Sequence, residues 1–160
     1  MNGDSLGLAA LRSRREEIVF AHIRGERHRA DLDAAVAAFA DGHATYDVIP
    51  FRPILGTPEG QVTHPGPDAV RAHLSELTAG FPDLELVIHR VHHADGALIV
   101  EGVQIGTHTG EWAGLAPTGR RVCVPAAVFY RFEGERMVNE TVYFDLATMM
   151  RQLGLGELAL

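Results

Sequence analysis

One cysteine, Cys123, is all that the 160 residues contain, which excludes an intramolecular disulfide. It stands in an apolar run and reads as a small buried hydrophobe, not a nucleophile. No run is apolar enough to span a bilayer. The first residues, with Asp4, Arg12, Arg14, Arg15, Glu16 and Glu17, lack the apolar core of a secretory signal. Positive charge is in deficit: the net charge is −7 with histidine neutral. Such a surface repels phosphate backbones, which argues against a nucleic-acid partner. Motifs with fixed chemistry are missing as well. There is no Gly-x-Ser-x-Gly nucleophile elbow, and neither HExxH nor CxxC occurs. Residues 114–120 lack the Gly-Lys-Ser/Thr end of a phosphate loop and precede a strand. What is present is an ordinary globular composition, 46% apolar and 22% charged. The length suits one domain that can bury a core without staples. The expectation is a single-domain cytoplasmic protein with no metal, no membrane and no nucleic acid.

Residues 1–5 read as a frayed tail. Leu8, Leu11, Ile18 and Val19, interrupted by charge, predict a helix over 6–23. A second helix follows, with Asp31 or Asp33 as cap, Val36 and Phe39 at helical spacing, and Asp41-Gly42 as its stop. A short strand is predicted over 44–49. Residues 50–67 hold five of the eight prolines and read as a long connection over a cavity mouth. Asp68 is the predicted cap of a third helix, with Val70, Leu74 and Leu77 on one face. The period then changes to two. Strands are predicted over 84–94, 97–107, 120–132 and 136–144, with a two-residue turn at Asp95-Gly96. The third of these is apolar on both faces and so reads as covered on both sides. A short helix over 146–153 is closed by Gly154. Helices first and hairpin-linked strands after argue an α+β fold. A curved antiparallel sheet with helices on its concave side makes a cone whose interior can hold a small molecule.

Asp145 is the first candidate for chemistry. It shares one face of the last strand with Tyr143, Thr141 and Asn139, while Phe144, Val142, Glu140 and Val138 share the other. A carboxylate buried at a strand end would have a raised pKa and suit acid/base work. The commoner role at this position is the N-cap of the last helix. Glu140, on the opposite face, reads as a structural salt-bridge partner. Of the nine histidines, His89, His92 and His93 read as surface residues near a hairpin, and His108, between Gly106 and Gly110, could face the cavity mouth. Tyr46, Trp112, Phe129, Tyr130 and Tyr143 could line the cavity, although an aromatic is more often core.

The runs Gly106-Thr107-His108-Thr109-Gly110-Glu111-Trp112, Pro117-Thr118-Gly119-Arg120, Glu133-Gly134-Glu135-Arg136-Met137, Glu140-Thr141-Val142-Tyr143-Phe144-Asp145 and Arg151-Gln152-Leu153-Gly154 come in an order and spacing that resembles the SnoaL-like polyketide cyclases of the NTF2-like superfamily. The resemblance covers residues 31–154; residues 1–30 are a tail and first helix outside it. It implies a cone of helices on a curved, mainly antiparallel sheet and a homodimer formed through the sheet face. It further implies a cofactor-independent aldol-type ring closure of a small hydrophobic carbonyl substrate, an ester cyclase activity. Asp145 matches the acid/base of that family, with His108 as a second catalytic candidate. Tyr46, Trp112, Phe129, Arg131 and Tyr143 would contact substrate, and Arg131 stands where the cyclases carry an assisting histidine. Dehydratases, isomerases and hydrolases on the same fold, and a non-catalytic small-molecule binding protein, are the alternatives.

Overall fold

The computed structural model describes residues 2–27, 31–39, 44–49 and 62–156. Within them the order is α1 (Asn2–Arg27), α2 (Leu32–Ala37), β1 (Thr45–Ile49), β2 (Val62–Pro65), α3 (Pro67–Gly80), β3 (Glu85–Ala94), β4 (Ala97–Thr107), β5 (Arg121–Glu133), β6 (Arg136–Phe144) and α4 (Leu146–Leu153). The strands form one sheet in the order β2-β1-β6-β5-β4-β3. It is antiparallel throughout except for β1, which lies parallel to β6. The sheet is open and mixed, and the fold is α+β as expected.

Three boundaries differ from the sequence reading. Helix α1 begins at Asn2, where a frayed tail was expected, and runs on to Arg27. The connection over 50–67 contains a strand, β2, paired with β1 through Tyr46↔His64; residues 50–61, and the expected stop at Asp41-Gly42, lie outside the described residues. Asp68 does not cap α3. Gly66 precedes the helix without a side-chain cap bond, and Pro67 starts it, because proline's fixed φ and missing N–H suit the first helical position.

The strand alternation decides which side is inside. Along β5 every even residue from Val122 to Phe132 is buried. Register carries that inner face across the sheet. Tyr46, Glu140, Tyr130 and Leu98 form one row, and Val48, Val142, Val128 and Val100 the next. Helix α3 covers these rows with Val70 and Leu74, and Phe81 follows at its C-cap; all three are fully buried. Helix α1 presents a stripe at helical spacing, Arg15, Val19, His22 and Glu26, and the first three are buried. Polar groups thus sit on its inner side, which is why its apolar pattern looks interrupted in sequence. Arg15 ties α1 to the sheet's hairpins. Its guanidinium donates to the carbonyls of Gly134 (3.0 Å) and Asp95 (2.8 Å), one in each turn, and lies over the Phe132 ring. Gly25 is required where α1 crosses α2, since a Cβ there would stand 2.8 Å from the Ala35 nitrogen.

The outer face of the sheet is open. Cys123 is exposed, a correction to its reading as buried: odd positions of β5 point away from the helices. The strand is therefore covered on one side only within this chain. Where β6 ends, α4 takes over along the start of β5. The Gln152 carboxamide accepts from the Cys123 N–H (2.7 Å) and donates to its carbonyl (3.1 Å), as a neighbouring strand would.

Candidate functional site

Two adjoining chambers lie between the inner sheet face and the helices. Their free volumes in this closed form are about 40 and 30 Å³. Tyr46, Leu77, Leu84 and Gln104 line both. The first is closed by apolar and aromatic side chains, among them Phe81, Trp112, Val122, Phe144 and Met149, with His73 as its main polar wall. His73 is buried without a carboxylate to support its charge, and burial followed by the neighbouring His64 lowers its pKa to about 3. It stays neutral and stacks on His64, with ring centroids 4.2 Å apart, and against Tyr46 at 4.7 Å.

The second chamber carries the ionisable groups: Glu26, Tyr46, Tyr130 and Glu140, with Arg27 at its rim. Glu140 is placed by β6 between Tyr46 on β1 and Tyr130 on β5, all three directly paired on the inner face. His22 of α1 meets it from the helix side, Nε2 to Oε2 at 2.7 Å. The other ring nitrogen, Nδ1, lies 2.7 Å from the Ala35 carbonyl oxygen. A carbonyl only accepts, so Nδ1 carries a proton and Nε2 is left to exchange one with Glu140. Glu26, one turn on from His22, brings Oε1 to 3.2 Å from the same Nε2.

Burial of this cluster sets its protonation. Desolvation first, then the charge of Glu26, push Glu140 up to about 7, against the opposing pull of His22. Burial alone would lower His22; Glu26 and Glu140 more than offset it and hold the imidazole well above its ordinary value. The pair therefore shares a proton near neutral pH. Burial, then the Glu140 charge, raise both phenols, so Tyr46 and Tyr130 remain donors. The Tyr130 hydroxyl is buried and makes no hydrogen bond of good geometry. It is a donor held ready in the wall of the chamber.

The residues proposed from sequence fall in two groups. Tyr46 lines both chambers and Trp112 the first. Asp145 does not. It is exposed, accepts from the Thr148 N–H (2.9 Å) and hydroxyl (2.7 Å), and caps α4. Those two bonds lower its pKa, which favours the ionised cap and weakens it as a base. Phe129, Arg131 and Tyr143, expected along the cavity wall, lie on the outer face, because they alternate with the buried Val128, Tyr130 and Val142. Arg131 there binds Asn139 and Thr141. Tyr143 and Asp145 border an open outer groove of about 720 Å³. His108 is fully buried but lines neither chamber. It stacks on Phe81 at 5.0 Å and contacts Thr118 through Nδ1 at 3.2 Å. His89 and His92 are exposed and His93 is half-buried. Glu140 does form the ion pair expected of it, but inside the cavity. Sequence reasoning missed His22 and Glu26 altogether. The available signal was their i, i+4 spacing in line with Arg15 and Val19.

Comparison with known proteins now bears on this arrangement. The model of the SnoaL-like polyketide cyclase family matches residues 55–153. The chain belongs to that family. Among solved structures, a SnoaL-like polyketide cyclase from Jannaschia sp. CCS1 is similar over 90% of this chain and 94% of its own, with 17% identity and a TM-score of 0.75. A phenazine biosynthesis-related protein from Pseudomonas aeruginosa is similar over 95% and 88%, with 15% identity and a TM-score of 0.75. A protein with a ketosteroid isomerase-like fold from Catenulispora acidiphila, solved with trimethylamine, is similar over 88% and 94%, with 21% identity and a TM-score of 0.70. At such identities these structures establish the NTF2-like fold and not a shared reaction. No curated protein matches the chain.

Proposed function

We propose that this SnoaL-like protein is an acid/base enzyme of the polyketide (ester) cyclase type that needs no cofactor and acts on a small, largely apolar carbonyl compound. The observation that carries the reading is the buried His22–Glu140 pair, flanked by two phenols, at the polar end of an otherwise apolar double chamber. Glu140, with a pKa near 7, is suited to take a proton from carbon and return it at neutral pH. It removes the proton α to a carbonyl, and the electron pair moves to the carbonyl oxygen. Tyr130 or Tyr46 donates to that developing enolate. The enolate carbon attacks a second carbonyl of the same molecule, and the resulting alkoxide takes the proton back from Glu140. His22 stabilises the carboxylate through Nε2 and is itself oriented by the Ala35 carbonyl. The chain has no lysine, so no side-chain amine is available for an imine mechanism.

Solvent deuterium exchange tests this without knowledge of the natural substrate. Neutral aromatic and cyclic ketones, incubated with the protein in D2O and followed by NMR, should exchange α-hydrogens above the buffer rate. Glu140→Gln should abolish the excess and Asp145→Asn should keep it. Ketones that bind but never exchange would turn the reading into that of a binding protein. Exchange lost with Asp145→Asn alone would return the role to the outer groove.

A homodimer through the outer sheet face belongs to the same proposal. Ile99, Val103, Ile105 and Phe129 are only half-buried there and Tyr143 is 40% exposed, an apolar strip that a second copy would cover. The free thiol of Cys123 suits a reducing, cytoplasmic setting.

A further inference from the structure

The search extended to every cluster of ionisable groups outside the acid/base pair, and the observations reach furthest at the place where three elements converge on His22. Its Nε2 lies 2.7 Å from Glu140 and 3.2 Å from Glu26. All three ligand-type atoms stand within 4.8 Å of one another. We infer that His22, Glu26 and Glu140 form a binding site for one borderline divalent cation, of the Zn²⁺ or Co²⁺ class, opening on the second chamber. This goes beyond the acid/base reading: the cation would displace the proton shared by His22 and Glu140, so the loaded site and the metal-free acid/base pair are alternative states of the same residues.

Four features support it. The first is the donor set: one imidazole and two carboxylates, without thiolate, fits Zn²⁺, Co²⁺, Mn²⁺ or Fe²⁺. The second is spacing. Ligands about 2.0–2.1 Å from a metal sit about 3.0–3.4 Å apart around it: the 3.2 Å His22–Glu26 separation already fits, the 2.7 Å His22–Glu140 one needs to open by a few tenths of an ångström, and the two carboxylates lie within 4.8 Å of each other. The third is the outer contact. A metal-bound histidine ordinarily donates its other N–H to a carbonyl or carboxylate, and Nδ1 of His22 already donates to Ala35. The fourth is charge and unmet bonding capacity. Two carboxylates face one imidazole, and Arg27, the cation at the chamber rim, is engaged by Glu85. Glu26 Oε1 has the 3.2 Å contact to His22 Nε2 but no hydrogen bond of good geometry, and Glu26 lines this chamber. Buried charges are paired or coordinate metals. Three protein ligands also leave open positions facing the chamber, as in catalytic rather than structural sites.

The test uses the chelator-treated full chain without substrate. Titration with Co²⁺, read by visible absorption, and with Zn²⁺, read calorimetrically, should give one site per chain. Glu140→Gln and the less buried Glu26→Gln should each weaken binding at least about tenfold, and the double variant His92→Ala/His93→Ala should leave it unchanged. Lack of uptake by the wild type overturns the proposal. So does equal affinity in Glu26→Gln and the wild type, or loss in the surface-histidine variant, since either places the ion on exposed histidines. Because no turnover is measured, failure here leaves the acid/base reading standing. α-Hydrogen exchange that persists in the chelated protein supports that reading independently.

Discussion

The two faces of β6 carry two carboxylates five residues apart, and they have opposite fates. Glu140 points inward, is fully buried beside His22, and is pushed up to about 7. Asp145, at the strand's end, stays in solvent, accepts two bonds from Thr148 and is lowered. Glu140 lies on β6 and Asp145 just past its end, and their sequence contexts favour Asp145. Asp145 matches the acid/base position of the family, while Glu140, in the same run, is flanked by polar Asn139 and Thr141. What separates them is the side of the sheet that the helices cover. Desolvation raises the pKa of one, and hydrogen bonding lowers that of the other.

The largest effect that could break this contrast is catalytic. Glu140→Gln should reduce exchange or turnover by about 10²–10⁴-fold, the range for losing a general acid/base, while Asp145→Asn stays within a few-fold. Circular dichroism would confirm that both remain folded. Next comes packing. Leu74→Ala, on the buried side, should cost about 2–5 kcal/mol in denaturant melts. Phe129→Ala, on the open side, should cost far less in the monomer and instead weaken self-association in sedimentation experiments.

The pH dependence should differ in sign. Glu140 has a folded pKa above its ordinary 4.5, and His22 is likewise raised. Their stabilising contribution is complete below the ordinary values and is lost as pH rises through the folded ones. Between pH 4.5 and about 7 the wild type should therefore lose stability relative to Glu140→Gln, by at most about 3 kcal/mol. Asp145 is lowered, so its contribution is present above the ordinary value and is lost as pH falls through the folded one; Asp145→Asn should flatten only the acid limb. Urea melts across pH would show both. A smaller effect is the cap itself: Asp145→Ala should lower stability by about 1 kcal/mol, a few degrees in Tm. The smallest is a labelling difference. Cys123 should react readily with a thiol reagent in dilute protein and be protected at high concentration if the outer face is a dimer interface.

Much of the fold was legible locally. The strands Ala97–Thr107 and Arg136–Phe144, the turn at Asp95-Gly96 and the helix Leu146–Leu153 lie where period, glycine and cap placed them. The alternation along β6 was legible too, with Asp145 and Glu140 on opposite sides. The local signal failed on α1, where Arg15, His22 and Glu26 fill positions that apolar residues usually occupy. Their burial depends on partners far along the chain: the Gly134 and Asp95 carbonyls for Arg15, and Glu140 for His22.

The sequence by itself determined the elements, their alternation, the acidic surface and the family. Those follow from residue spacing and backbone preference, which act over a few residues. Only the tertiary structure decided which face of the sheet is the interior, and with it which carboxylate is desolvated. A period of two assigns residues to two faces without naming either. The choice is made when α1 and α3 cover one of them, and a carboxylate's pKa then follows from the water it has lost.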